Sequence, residues 1–473
     1  MVDRPLGDRR RSALPRAWCW ALALAFAAAR PALAQEAPPA RDRDAPDVAS
    51  LATAPPADKA SGHLHEHERD EGAVRTIVRA VLWTPRELLE LGLWVPEEVA
   101  GRLDDYYESR GPDVYDRGGA GGWSGGAMLL WEAPFGPSVG ARIGHVFGRR
   151  ARADATAVVF GRYGYTGRVS ASVAASARVQ IELAGEIGHD HEVVLAGIGD
   201  HPLGDAAAGA DLDPFGSGAV PETILDDRVL AFRVAAPIQL AELPGRFRLR
   251  PSLRVERHDL APDEPAAFAY DRSRLLGLGQ PFRFGLALVD VGWDARVAPA
   301  PWIPRAAPAT GWRARAAVGY AIGDVDGGDD FRFARWAVSA ERLFDLFRGT
   351  RVLTLSAHIQ GITGDRARVP FLLLPALGGP DDMRAFSRGR FRDEVATSAE
   401  LAYEWAIGLR LRVSLFTEVG GVHEGVGALD AEHLHLSAGA ALRQVYDDGN
   451  AARFVVAGSD TGEASFFVVL GGV

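Results

Sequence analysis

Residues 246–256 read RFRLRPSLRVE, and their alternation decides the fold. On an extended chain Phe247, Leu249, Leu253 and Val255 fall on one face, and Arg246, Arg248, Arg250, Arg254 and Glu256 on the other. A soluble antiparallel sheet alternates too, but it turns its apolar row to a packed core and its polar row to water. A row of guanidiniums is costly against a packed interior and comfortable beside a water-filled one. Apolar outside and arginine-rich inside is the alternation of a barrel that stands in a membrane.

The same pattern recurs downstream and upstream. In LRLRVSLFTE, Leu409, Leu411, Val413 and Leu415 oppose Arg410, Arg412, Ser414 and Glu418. In WRARAAVGYAIG the apolar row is Trp312, Ala314, Ala316, Val318, Tyr320 and Ile322. SVAASARVQIELA reads as one more strand, with Val173, Ala175, Ala177, Val179, Ile181 and Leu183 on the apolar side. TLSAHIQG and SAELAYEWA add two others, and DVDGGDD, PDD and DDGN supply turn signals between strands. From about Gly118 to Val473, roughly 355 residues at about 22 per strand and connection predict on the order of sixteen strands. The expected fold is all-β, a transmembrane antiparallel β-barrel of about 16 strands with a short N-terminal helical segment. A secreted β-solenoid or sandwich is the alternative.

Composition fits that frame. The 473-residue chain has a formal charge of −10 and no run of eighteen apolar residues, so no helix spans a membrane and no basic footprint for nucleic acid exists. Arg4, Arg9, Arg10, Arg11 and Arg16 precede an apolar run from Ala17 to Ala29, and ALA at 32–34 precedes Gln35. That is the layout of a secretory signal peptide over residues 1–34. The single cysteine, Cys19, lies inside it with no lipobox, so the mature chain has neither disulfides nor a thiol nucleophile. Residues 35–72, rich in Ala, Pro, Asp and Glu, read as a disordered tether. Within it His63, His65 and His67 alternate in HLHEH, which reads as part of a solvated polar tail, with an extended metal cluster the lesser alternative. Residues 73–117 carry helical spacing at Val74, Ile77, Val78, Val81 and Leu82, and a capping box from Thr84 to Glu87. The barrel occupies 118–473.

One segment breaks the alternation. Residues 377–393 read LGGPDDMRAFSRGRFRD, with four arginines and no helical or strand period. This loop, a strand near Glu400 and then LRVSLFTEVGGV together resemble the C-terminal half of the BamA/TamA-like bacterial surface-antigen barrels. Gly378, Gly379, Met383, Arg384, Ala385 and Phe386 match a GG-x-x-x-(V/L)-RG(F/Y) loop, and Phe416, Glu418 and Gly420 match a strand ending F-x-D-x-G. LAGIGD at 195–200 and GLALVDVGWDAR at 285–296 are weaker echoes. Ala385 stands where the family has glycine, Glu418 where it has aspartate, and Ala402 where an arginine often follows the strand glutamate. The terminus FFVVLGGV ends on Val473, with Phe466 and Phe467 set back, and no room is left ahead of the barrel for POTRA domains.

The resemblance implies that the charged loop folds back into the lumen, with Arg384 pairing to Glu418 first and Glu400 second. Strand parity allows both carboxylates to face inward. The alternative is an extracellular loop whose arginines face water. The function implied is a conduit or accessory in protein or solute translocation or membrane insertion; a structural barrel linking the membrane to partners is the second reading. A rim enzyme is the third. His189, Asp190 and His191, and Glu432, His433 and His435, are clusters it could use, but no G-x-S-x-G nucleophile motif accompanies them. No catalytic residue, metal site or cofactor is expected. The acidic turn Asp324, Asp326, Asp329 and Asp330 lacks the full calcium loop and reads as a solvated hairpin. Expected partners are outer-membrane lipid and a periplasmic or client protein, with no nucleic acid.

Overall fold

In a computed structural model, the described residues run from 122 to 470, apart from 133–135, 149, 160–163, 202–210, 214, 216–221, 241–244, 263–268, 272–273, 299–302, 305–306, 329, 408–409 and 447–448. The helical spacing at 73–117, the tether with His63, His65 and His67, and the signal-peptide layout all lie outside them.

The chain forms a closed antiparallel sheet. Its first half holds β1 (Gly122–Glu132), β2 (Gly136–Phe147), β3 (Ala151–Val159), β4 (Gly164–Ala174) and β5 (Gln180–Leu195). There follow β6 (Thr223–Ala235), β7 (Arg246–Pro262) and β8 (Phe282–Asp294). The second half holds β9 (Gly311–Val325), β10 (Asp330–Asp345), β11 (Arg351–Thr363) and β12 (Val395–Ile407). It ends with β13 (Leu411–His423), β14 (His435–Tyr446), β15 (Gly449–Ser459) and β16 (Ala464–Leu470). A short segment, Ile238–Leu240, prolongs β6 along β7 and is not a separate stave. Every stave pairs with its sequence neighbours, and β1 pairs with β16 to close the ring of sixteen. That is the strand number the spacing predicts.

Alternation sets which side each residue takes. Leu253 and Val255 on β7 are 53% and 52% exposed, and Tyr320 and Ile322 on β9 are 50% and 59% exposed, all on the outer wall. Their neighbours Arg250, Arg254, Glu256 and Arg315 point inward and pair with one another's carboxylates or with Asp290 and Glu182. The large connections 196–222, 263–281 and 364–394 leave one end of the barrel; the other end has mostly tight turns such as 346–350, with 295–310 the long exception.

Two features depart from the simple pattern. SVAASARVQIELA is not one strand. The chain turns at Ala175–Arg178, and Val173 on β4 faces Ile181 on β5. Ser176 Oγ accepts hydrogen bonds from the backbone N–H groups of Arg178 (3.2 Å) and Val179 (3.1 Å), which fixes the turn. The turn keeps the apolar phase on both sides of it, so periodicity alone reads straight through. Second, polarity inverts at the loop end. Phe282, Phe284, Phe331 and Phe333 face inward, while Arg283 faces out and is hydrogen-bonded to Asp324 at 2.9 Å. There the inner aromatic residues pack with Leu275, Leu278, Phe371 and Leu374 from the long connections, so this end of the lumen holds an apolar core and not water. The acidic turn is partly neutralised from outside, with Asp324 taking Arg283 and Asp326 taking Arg257.

Candidate functional site

The segment 377–393 lies inside the barrel, against the inner wall of β12, β13, β14 and β16. Two glycines start it. Gly378 and Gly379 have φ of 104° and 112°, values closed to other residues, and a Cβ at Gly378 would meet the Ser387 carbonyl oxygen at 2.2 Å. Gly379 N–H then donates to Phe386 O at 3.0 Å, and Phe386 N–H to Met383 O at 3.0 Å, folding residues 379–386 into a compact hairpin-like turn. Met383, itself at φ 54°, is fully buried beside Leu377 and Phe416. Gly378→Ala is expected to unseat this turn, since the strained backbone costs about 1–3 kcal/mol before the clash is counted. Limited proteolysis that cuts near 380–392 in the variant and spares the parent chain checks it.

Arg384 is the centre of the site. Its backbone N–H donates to Glu418 Oε2 at 2.8 Å and its Nε to Glu418 Oε1 at 2.8 Å, so one carboxylate grips both main chain and side chain. Nη2 donates to Glu400 Oε2 at 2.5 Å. The guanidinium carbon also lies 3.5 Å from the centre of the Phe416 ring, a cation–π contact from the same strand. Strand pairing explains the need for this arginine: Glu400 and Glu418 are register partners on β12 and β13 and would repel across the ladder without it. Glu418 takes a third hydrogen bond from Ser437 Oγ (2.9 Å), whose oxygen in turn accepts from Ala385 N–H at 3.2 Å. Ser465 Oγ donates to the Arg384 carbonyl.

The rest of the loop is held as firmly. Phe386 meets Phe391 edge-on at 5.0 Å, and Phe391 stacks on His435 at 4.4 Å. His435 and His433 both reach Asp200, at the end of LAGIGD, and Gly199 N–H donates to Arg392 O at 2.7 Å. Burial works against the Asp200 anion, but the hydrogen bonds from His435 and His433 hold its carboxyl below the usual range. Arg390 donates to His201 O at 2.7 Å and lies over Phe391; burial pushes its guanidinium pKa down, and that of Arg392 down to about 10. Asp393 receives Arg366 at 2.9 Å.

The structure therefore brings Gly378, Gly379, Arg384, Phe386, Glu400 and Glu418 into one constellation. Sequence reasoning missed Ser437, Ser465, His435 and Asp200 as its partners. Inward parity on β14 and β16 marks the two serines, but parity alone does not say which inward residue meets the loop. The histidine clusters do not meet each other: His189 pairs with Asp226, and His433 and His435 with Asp200.

Comparison with solved structures gives barrels of related form. The crystal structure of BamA from Haemophilus ducreyi lacking POTRA domains 1–3 aligns over 75% of this chain and 70% of that one, at 12% identity and TM-score 0.49. CdiB from Escherichia coli aligns over 73% and 62%, at 10% identity and TM-score 0.46. CdiB from Acinetobacter baumannii aligns over 74% and 60%, at 8% identity and TM-score 0.45. No protein-family model matches the chain, and no curated protein matches it.

Proposed function

We propose that this chain is an outer-membrane barrel of the surface-antigen type that acts as a gated conduit, moving protein or solute through or into the membrane. The observation that carries the reading is the loop 377–393 folded into the lumen and fastened by Arg384 to two wall carboxylates. The loop and the apolar core at that end narrow the bore, which suits a gated conduit better than a permanently open one. Passage requires the loop to shift or the wall to part. Outward apolar rows on β7 and β9 and the secretory layout of residues 1–34 support an outer membrane of a two-membrane bacterium as its place. By the general rule that barrel loops are long outside and short inside, the connections 196–222, 263–281 and 364–394 leave the extracellular end, from which 377–393 folds back into the bore.

The ring closes where the first strand meets the last. Among the described residues β1 and β16 share four residue pairs, Leu129–Glu132 with Leu470–Phe467, whereas β1 and β2 share eleven. Every other neighbouring pair of staves is also joined by a connection of the chain and this pair is not, so in this reading the wall parts here. The reading has no catalytic step, metal or cofactor, and its partners are lipid and a client on the periplasmic side.

Planar-bilayer recording of the full chain tests it. The expected record is a low resting current with brief openings. A Leu129→Cys/Leu470→Cys pair, set on register partners at the seam, should suppress the openings when oxidised and restore them when reduced. A permanently open current, or a folded barrel that never opens with or without the crosslink, would make the chain a plain porin or a structural barrel.

A further inference from the structure

Two adjoining cavities lie along the inner wall and share Arg315, Ser339 and His358. Their charges differ. The one beside the loop, about 210 Å³, is acidic, and four of its five carboxylates are engaged. Arg384 binds Glu418 and Glu400, Arg296 donates to Glu341 at 2.7 Å, and Ser398 donates to Asp382 at 3.0 Å.

The second cavity, about 330 Å³, is faced by Arg233, Arg250, Arg254, Arg315 and Arg335, with Asp290 as its single carboxylate. Three of these guanidiniums have partners: Arg315 with Asp290, Arg250 with Glu182, Arg254 with Glu256. Two are left over. Arg233 approaches Glu182 only at 4.0 Å, and Glu182 is already taken by Arg250. Arg335 makes no ion pair or hydrogen bond among the described residues. The ladder makes matters worse, because Arg233 on β6 and Arg254 on β7 are direct register partners. Like charges set opposite each other destabilise a sheet, and a serine or glutamine at either place would keep the lumen polar without that cost.

We propose that this cavity is a binding site for a small phosphate-type oxyanion, gripped by Arg233 and Arg335. Guanidinium forks match the oxygens of a phosphate group in geometry as well as charge, and a doubly charged anion complements the two cations that no carboxylate hydrogen-bonds. The volume, at the low end of the roughly 300–1,000 Å³ typical of ligand pockets, suits a small phosphorylated solute or one lipid headgroup. Such a site inside the bore would hold an anion on the passage path, or make an anion part of the closed state.

Calorimetric titration of the full chain in non-ionic detergent at low salt, with inorganic pyrophosphate as the probe, tests the proposal. One saturable site is expected, weakened at least tenfold by Arg233→Gln and by Arg335→Gln and weakened by added salt. Arg335→Lys should retain part of the affinity, having charge without the fork. Arg283→Gln, on the outer rim, should bind as the parent does. Retained fast mobility on an unheated gel shows that each variant still forms the barrel. Displacement by glycerol 3-phosphate identifies a soluble phosphorylated ligand; displacement only by short-chain phosphatidic acid identifies a lipid headgroup. Absence of a saturable site in the parent chain, or equal weakening by Arg283→Gln and Arg335→Gln, overturns the proposal. The measurement is independent of conductance, so it stands or falls apart from the gating described above.

Discussion

Arg384→Ala will release the inward loop and destabilise the barrel wall around it. Arg384 and Glu418 are 6% and 3% exposed, so the change strands a buried carboxylate and leaves Glu400 beside it as a like charge. Breaking one side of a buried pair costs about 3–5 kcal/mol. Glu418→Ala should cost a similar amount, since it removes the acceptor of the Arg384 N–H, the Arg384 Nε and Ser437 Oγ together. Both variants should show higher bilayer conductance and new protease cleavage near 380–392. The double variant should cost less than the sum of the two single ones, because both changes remove the shared Arg384–Glu418 pair. Arg384→Lys should recover part of the loss, since an ammonium supplies the charge and cannot span Glu418 and Glu400 with a fork. Strictly additive effects in this cycle would mean that the pair does not hold the loop.

A second large effect is expected at the opposite end of the same wall. Glu404 on β12 accepts from Arg412 Nη1 at 3.0 Å and from Arg443 Nε at 2.9 Å, and the Arg412 side chain is only 1% exposed. In Glu404→Ala, Arg412 keeps one hydrogen bond among the described residues, to Gly349 O at 3.3 Å, and a guanidinium remains buried without its counter-charge. The loss should again reach about 3–5 kcal/mol, read as a lower melting temperature and a lower temperature for loss of the fast unheated gel band. Replacing Arg412 with Met in the Glu404→Ala background should restore most of that stability by removing the stranded charge. Failure of the Met variant to recover would show that packing around Tyr403, Trp405 and Val413, and not charge, sets stability there.

Strand identity was legible because period two is local. RFRLRPSLRVE needs only its own eleven residues to show which side chains share a face, and its spacing to other such runs yields the strand number. The same locality explains the error at SVAASARVQIELA. A turn that preserves the apolar phase leaves no mark in the alternation, and the Ser176 hydrogen bonds that make it a turn depend on backbone geometry. The inverted Phe-Arg-Phe triplets at 282–284 and 331–333 were equally hidden. At the rim the outer medium is no longer apolar, and the inner side is filled by connections distant in sequence.

The candidate site divides in the same way. Its loop stood out as a charged break in the alternation, with Gly378 and Gly379 marking a turn that only glycine can make; Arg384, Glu418 and Glu400 came from resemblance and parity. What parity leaves open is the meeting itself. Asp200 reaches His435 across 235 positions, and Arg384 reaches Glu418 across 34, because closing the sheet carries β5, β12, β13 and β14 around one bore. The sequence by itself determined which residues of a strand share a face, since that depends on each strand's own pleat. Only the tertiary structure decided which inward residues touch, because those contacts are set by how the closed sheet packs around its own loop.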